Sequence, residues 1–543
     1  MNQISQNRGR RKLLRISAGQ VLRLVLLLLL LSACQPTATE TPSPITISIL
    51  SDGETHQVTL PAGSTVQNAL EAAGISLGSL DRVSPPAYAV LEDGAQVTVT
   101  RVREEYLTRT EPIPFRSYLL PNESMPANEK RLIQAGENGE QEITTRITYE
   151  DGIKVSEIDL APVIIKQPVD EILMVGVQNP FTTVSLPGRL AYLSGGNAWL
   201  MEGSTANRRP IVTSGDLDGR VFRLSPDGEW LLFSRKSSRP AEQEINTLWI
   251  VNVNKPGATP VNLHVANVVH FADWQPGQKY VITYSTVEPR LTAPGWQANN
   301  DLYLLPFDPQ KGSAGTPTKV LETSSGGIYG WWGTTFAWSP DGQRLAYARP
   351  DSVGLVDLEA QTLFPLVEIT PLNTYADWAW VPGLAWGSDS QSLYFVTHAP
   401  PQGLTTPEES PLFDLQALSL TTGINVSLAL QTGMFAYPSC SAAQTTNGEI
   451  AYQVAYLQAI FPQQSATSRY RLTVMDRDGS DPRQLFPPAT QPGLEPQTPV
   501  WSPQAGSNLI AILYEGNLWL IDAQNVQSQQ ITGDGLTIRV DWK

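Results

Sequence analysis

The sequence predicts a mainly β chain in which small N-terminal sheets precede a seven-bladed β-propeller closed by its own C-terminal strand. The first observation is a repeat: a strand ending in Trp, a Ser-Pro-Asp-Gly-like turn, then a second strand. It occurs as RLSPDGEWLLFS from Arg223, DWQPGQKYVITYS from Asp273, AWSPDGQRLAYA from Ala337, AWGSDSQSLYFV from Ala385 and VWSPQAGSNLIAIL from Val500, with a degenerate copy from Ala436. The second is that the terminal copy, GLTIRVDWK, stops after its Trp542, and its missing partner strand stands at 187–196 as PGRLAYLSGG. A repeat split between the two ends of a region is how a ring of stacked units closes. The third is spacing. The strand-A column reads Leu224, Trp274, Trp338, Trp386, Tyr437, Trp501 and Trp542, with gaps of 50, 64, 48, 51, 64 and 41 residues. That is room for four strands per unit with loops of variable length.

A second column falls on strand C, at Trp199, Trp249, Tyr303, Leu355, Gln416, Thr473 and Trp519. Strands D follow, among them RPIVTS, TPVNLH, PTKVLE and SQQITG, so that seven A, B, C and D strands can be placed. Blades pack face to face, which buries both sheet faces and turns strands into apolar runs instead of clean alternation. Closure removes an edge that would otherwise template aggregation. With WSPDG at 338–342 and VMDRDGSDPRQL at 474–485, the blades resemble those of the TolB-type propeller family. The resemblance implies the fold and is nearly silent about function.

Ahead of the propeller, residues 45–102 read as strand, Asp52-Gly53 turn, strand, helix, loop and strand. Ser64 with Gln67 three residues on forms a capping box, and Gly74 marks the helix stop. The segment resembles the ubiquitin-like β-grasp unit of resuscitation-promoting-factor-type cell-wall proteins. Residues 104–177, with TRTEPIPFRSYLLP, RLIQAGENGEQEITTRITYEDG and KQPVDEILMVG, resemble the five-glycine (G-five) domain of the cell envelope. Gly136, Gly139, Gly152 and Gly176 match its glycines, and Asn128 replaces a fifth. Asn tolerates the left-handed region, so the exchange is mild. The tandem order implies association with wall glycan containing N-acetylglucosamine. The expected domains are 45–103 (ubiquitin-like), 104–178 (G-five) and 179–543 (propeller).

The first 33 residues read as a lipoprotein signal peptide. Arg8, Arg10, Arg11, Lys12 and Arg15 precede an apolar run too short for a stable span, followed by Leu31-Ser32-Ala33-Cys34. This resembles the bacterial lipobox, which implies lipid attachment at Cys34 and an exported protein anchored to the envelope, outside the cytoplasm. Arg10-Arg11 also resembles a twin-arginine export motif. Residues 34–44 are a Pro/Thr tether. The chain has two cysteines; with Cys34 lipidated, Cys440 is left alone, in the sixth blade, as inert packing. Removing the leader's six positive charges takes the formal charge from −15 to −21. That argues against nucleic acid as a partner and against an electrostatic grip on anionic lipid.

Loops joining B to C and D to A share one face of a propeller, and here they are the long ones, at 236–246, 286–300, 323–335, 369–383, 398–412 and 456–469. Function on a rigid scaffold concentrates on such loops. Five of the 14 tryptophans belong to no repeat column: Trp296, Trp331, Trp332, Trp378 and Trp380. All five fall on that face, joined by Tyr329 and Tyr375. Their rings either stack on a ligand or plug the funnel as a hydrophobic lid. A second cluster comes from the position before the column residue, which is Asp541, Arg223 and Asp273 in blades one to three and Ala or Val in the rest. It reads as an ion network in the tunnel or as a polar anchor. His264, His270 and His398 lie near the same face, with no diagnostic metal spacing, and Asp476–Gly479 reads as a hairpin turn. No G-x-S-x-G, H-E-x-x-H or P-loop motif is present.

The expectation is a non-enzymatic envelope protein that binds wall glycan through its N-terminal domains and a ligand or envelope protein on the propeller face. No cofactor and no metal is expected, and the oligomeric state stays open. The competing readings are a propeller lyase or hydrolase acting on polysaccharide, and a scaffold that binds only proteins.

Overall fold

The computed structural model describes residues 43–178, 181–400, 406–446 and 448–543. The signal peptide, Cys34 and most of the tether lie outside the described residues. The chain divides into two compact units. One runs to Pro114 and takes in Asn138–Pro168; the other comprises Phe115–Glu137 and Val169–Lys543.

In the first unit, Ile45–Ser51 pairs antiparallel with Glu54–Leu60 and parallel with Gln96–Thr100, which carries Arg82–Ser84 on its other edge. The hairpin turn uses Asp52 and Gly53 at φ 54° and 80°, the left-handed pair that matches strand twist. Helix Val66–Ala72 buries Val66, Ala69 and Leu70 in a core with Ile47, Ile49 and Val97. Its cap differs from expectation by one residue. Thr65, not Ser64, is the N-cap, and its hydroxyl accepts from the Asn68 amide at 3.4 Å while Asn68 Oδ1 accepts from the Thr65 amide at 3.0 Å. A short Asn side chain closes that ring, so Gln67 is not used. At the other end Gly74 N–H donates to Glu71 O and Ile75 N–H to Leu70 O, the bond pattern of a Schellman stop.

The same unit holds a thin sheet in which Gly139–Glu150 pairs with Val102–Ile113 on one side and with Ile153–Asp159 and Val163–Lys166 on the other. Arg101 braces its start, with Asp52 at 2.8 Å and Asp81 at 2.7 Å.

The second unit begins with a small sheet in which Glu171–Gly176 runs parallel to Ser117–Asn122 and antiparallel to Lys130–Gln134. A Cβ at Gly176 would stand 1.9 Å from the Pro126 carbonyl oxygen, so only glycine fits there. Asn128 adopts φ 65°, the left-handed conformation its type tolerates. Leu120, Met125, Ile172 and Met174 of this sheet share one core with Leu190, Tyr192, Trp199 and Trp542 of the first blade. Beside them Glu123 pairs with Arg208 at 2.9 Å, the two side chains being 10% and 5% exposed.

Seven blades follow. The C-terminal strand Thr537–Trp542 pairs antiparallel with Ser185–Ser194, which pairs with Asn197–Val212, and the inner strand of the seventh blade touches that same terminal strand. The ring is closed by the C-terminus. The first blade has three strands, not four: the segment RPIVTS, expected as its strand D, continues strand C to Val212. Blades two, four, five and seven are four-stranded in the order A-B-C-D. The third adds a short Ser313–Ala314 strand, and a hairpin of Gln444–Thr446 with Glu449–Ala451 inserts between A and B of the sixth.

The Trp column has a physical cause. Trp274 Nε1 donates to the Arg223 carbonyl, Trp386 to the Ala337 carbonyl and Trp501 to the Ser439 carbonyl, at 3.1, 2.8 and 3.2 Å. Each indole reaches back one blade, to the residue before the column. This corrects the sixth blade. Its strand A is Ser439–Cys440, and Cys440 pairs with Val454 as Trp501 pairs with Ile510. The column residue is therefore Cys440, and Tyr437 lies outside the strand at φ 41°. The turn motif is equally local in origin. Ser225 Oγ accepts from Trp230 N–H and Asp227 Oδ1 from Glu229 N–H, both at 3.0 Å, while Gly228 takes φ 68°.

Candidate functional site

The inner strands of blades two to seven, with the loops that lead into them, enclose a cavity of about 580 Å³. Arg220 and Arg223 line it from the second blade, His270 and Asp273 from the third, Trp332 from the fourth and Trp378 from the fifth. Tyr437 and Thr498 complete the wall from the sixth and seventh.

The charged residues expected in the tunnel do meet. Arg223 stands 3.9 Å from Asp273 and 3.7 Å from Asp541. Asp541 is a structural acid: its Oδ2 accepts from the Leu224 amide at 2.7 Å and its side chain is almost fully buried. Asp273 accepts from the Trp274 amide at 2.8 Å. Burial raises its carboxyl above the usual range, against the pull of Arg223 and Lys543. Arg223 itself is 49% exposed, a large figure for an innermost strand.

The seven aromatic candidates divide into four groups. Trp332 and Trp378 line the cavity, half-buried. Trp296 and Trp331 pack behind Trp332, with ring centroids 5.4 and 5.8 Å from it, and the Arg220 guanidinium lies 5.1 Å over the Trp296 ring. Trp296 sits there because Trp296–Ala298 pairs with Val287–Pro289 as a hairpin within the B-to-C loop of blade three. Trp380 also belongs to the cavity wall, but its ring is almost wholly covered. It is 2% exposed, donates its indole N–H to the Met434 carbonyl at 2.8 Å, and packs edge-on to Phe413. It is packed wall without a free face. Tyr329 and Tyr375 stand at φ 55° and 51° in successive D-to-A loops. Tyr375 is 77% exposed, and its hydroxyl donates to Glu409. Left-handed backbone at a bulky residue is costly and has to be held by its surroundings.

The loop at 323–333 supplies that support through glycine. A Cβ at Gly327 would meet Asp351 Oδ2 at 2.3 Å, and one at Gly333 would meet His270 Cδ2 at 2.4 Å. Asp351 in turn accepts from the Ile328 amide at 3.0 Å. His270 is thus wedged between Gly333 and the rings of Trp296 and Trp332. Its Nε2 is buried without a hydrogen-bond partner among the described residues. Burial, and next the neighbouring Arg220, lower its pKa to about 4.

The other histidines do not join it. His398 bonds the Thr370 and Ser410 carbonyls through its two ring nitrogens at 2.8 and 2.7 Å and is buried. His264 is exposed on strand D of the second blade. Among the described residues no group of His, Cys, Asp and Glu could hold a metal ion. Burial pushes the Cys440 thiol up, and a protonated buried thiol is unreactive.

Known proteins place the N-terminal part. The model of the G5 domain matches residues 104–178, and that of the G5-linked ubiquitin-like domain matches residues 47–87. The chain carries a G5 domain. Resuscitation-promoting factor RpfB of Mycolicibacterium smegmatis is 30% identical over 136 residues, 25% of this chain and 37% of the relative. Resuscitation-promoting factor Rpf2 of Corynebacterium glutamicum is 30% identical over 109 residues, 20% of this chain and 29% of the relative. The chain thus spans well under half the length of these curated relatives. Among solved structures, TolB from Acinetobacter baumannii aligns with 81% of this chain and 99% of its own, at 10% identity and a TM-score of 0.35. The G5 domain itself lies across the two compact units. Its strands Val102–Ile113 and Gly139–Lys166 belong to the first, and its sheet built on Glu171–Gly176 belongs to the second. Among the described residues no helix is long and apolar enough to cross a membrane.

Proposed function

We propose that this is a lipid-anchored binding protein of the bacterial cell envelope, held by Cys34, whose ubiquitin-like and G5 domains engage wall glycan and whose propeller funnel receives a ligand. The observation that carries the reading is the aromatic-walled cavity. Two loops of neighbouring blades bring Trp332 and Trp378 to one space of about 580 Å³, within the range of small-ligand pockets. Gly327 and Gly333, at φ 78° and 134° where other residues are strained, hold the first of those loops in place, and a preorganised platform loses little entropy on binding. The G5 and G5-linked ubiquitin-like matches support the envelope assignment, as does the partial likeness to two resuscitation-promoting factors.

The test is sedimentation of the full chain with isolated peptidoglycan, together with titration by soluble glycans and an assay for released products with and without chelator. Binding without product release is the expected outcome. Turnover would replace the reading with that of a polysaccharide lyase or hydrolase. Changing Trp332→Ala and Trp378→Ala together should abolish binding in the funnel and leave sedimentation with the wall intact. Cys34→Ser should release the protein from the membrane fraction.

A further inference from the structure

We infer that the propeller funnel selects a saccharide bearing a carboxylate, of the uronic-acid type, with Arg223 and Arg220 as the anionic anchors and Trp332 and Trp378 as the stacking faces. This rests on the reading that the funnel binds a ligand.

The argument starts from charge. The chain as a whole is acidic, with a formal net charge of −15, yet the charged side chains lining this cavity are two arginines and one aspartate. Neither arginine is in close ion-pair contact, although Arg220 also lies 5.1 Å over the Trp296 ring. Arg220 lies 4.0 Å from Asp218, and Arg223 lies 3.9 and 3.7 Å from Asp273 and Asp541. Those separations exceed hydrogen-bond length. Each carboxylate facing Arg223 gives one oxygen to a backbone amide, Asp541 Oδ2 to Leu224 and Asp273 Oδ1 to Trp274, which fixes the carboxylates in place with their second oxygens 3.7 and 3.9 Å from the guanidinium. A guanidinium so placed keeps a planar fork of donors for an incoming carboxylate, the group it matches bidentately. The local field points the same way. Burial and then Arg223 depress Arg539, and burial and then Arg220 depress His270.

The rings supply the second half of the recognition. A sugar presents an apolar face of C–H groups and an edge of polar groups, and flat indoles bury the first while leaving the second to hydrogen bonds. Trp332 is braced from behind by Trp296 and Trp331, so its orientation is fixed before a ligand arrives. Cation and rings stand together in a single cavity, where a ligand can meet both at once.

The experiment is calorimetric titration of the full chain with a galacturonate tetramer, a neutral glucose tetramer of equal length and an acidic peptide of equal charge. The acidic sugar should bind, lose affinity as salt is raised, and weaken roughly tenfold or more in Arg223→Gln, the loss expected for a charge-assisted contact. Arg220→Gln, whose ion pair is longer still, provides a second variant should the first fold poorly, and should weaken the acidic sugar selectively. Equal binding of both sugars, unmoved by either arginine change, would overturn the inference and leave the funnel as a neutral-glycan site. Binding of the peptide alone would overturn the choice of saccharide. Absence of binding by all three probes would overturn the inference, while the wall-sedimentation and tryptophan experiments decide the broader reading separately.

Discussion

The two sheets of the G5 domain have similar strand chemistry and opposite fates. The sheet of the first unit leaves Ile153 71% and Val163 63% exposed, with Ile164 and Ile165 beside them. The sheet of the second unit puts Leu120, Met125, Ile172 and Met174 into the same core as the blade that closes the ring. Thin glycine-bearing sheets bury little by themselves. The difference teaches that one half of the domain is stabilised by hydrogen bonding along its long strands, and the other by a borrowed core.

That contrast can be broken most severely at the C-terminus. Deleting residues 536–543 removes Trp542 and the partner of Ser185–Ser194. Calorimetry should then show loss of the propeller transition together with the Glu171–Gly176 sheet, while the first unit still unfolds as a separate event; an unchanged scan would mean that the terminal strand closes nothing. Next in size is Glu123→Gln. It leaves Arg208, only 5% exposed, without its buried counter-charge and should lower stability of the second unit by about 3 kcal/mol. Smaller again is Met174→Ala, a core truncation expected to cost about 2–3 kcal/mol. The matched change Val163→Ala in the exposed sheet should stay within about 0.5 kcal/mol. Equal effects in chemical denaturation would erase the contrast between the two sheets.

A pH dependence separates the two units as well. His270 has its pKa lowered from 6.5 to about 4, so the unfolded chain takes up a proton that the folded chain refuses. Its contribution is complete above pH 6.5 and disappears as pH falls from there toward 4, a loss on the order of 3 kcal/mol. The second unit's melting temperature should drop across that window, and less so in His270→Gln. In the first unit the Gly78 backbone amide, then the Arg101 guanidinium and the Val102 amide, hold Asp81 below its usual range. Its stabilisation is present above that range and lost only as pH falls through the lowered value, so the first transition should hold until more acidic conditions.

Much of the fold was legible because its signals are local. The Ser225 and Asp227 side chains fold their own turn, and three of the column indoles, Trp274, Trp386 and Trp501, bond a carbonyl one blade back. The degenerate sixth blade misled for the same reason. Tyr437 looked like the column residue, but strand pairing assigns that place to Cys440. At the helix start, Ser64 and Thr65 are both competent caps, and the side chain three residues on decided between them. The first blade's missing strand D left no trace in RPIVTS, whose composition suits a separate strand as well as the continuation it becomes. Of the site, loops and residue types could be read in advance, but not which rings keep an open face. Trp378 and Trp380 are two positions apart, and only the second is sealed against Phe413.

Sequence alone determined the repeat, its closure by the last strand and the order of the domains, because turns, strand lengths and column residues are written within a few positions of one another. Tertiary structure decided what is buried: the docking of half the G5 domain on the first blade, the convergence of Arg223 with Asp273 and Asp541, and the sorting of five tryptophans into wall, brace and platform. Burial depends on neighbours distant along the chain, and those are set only when the ring has closed.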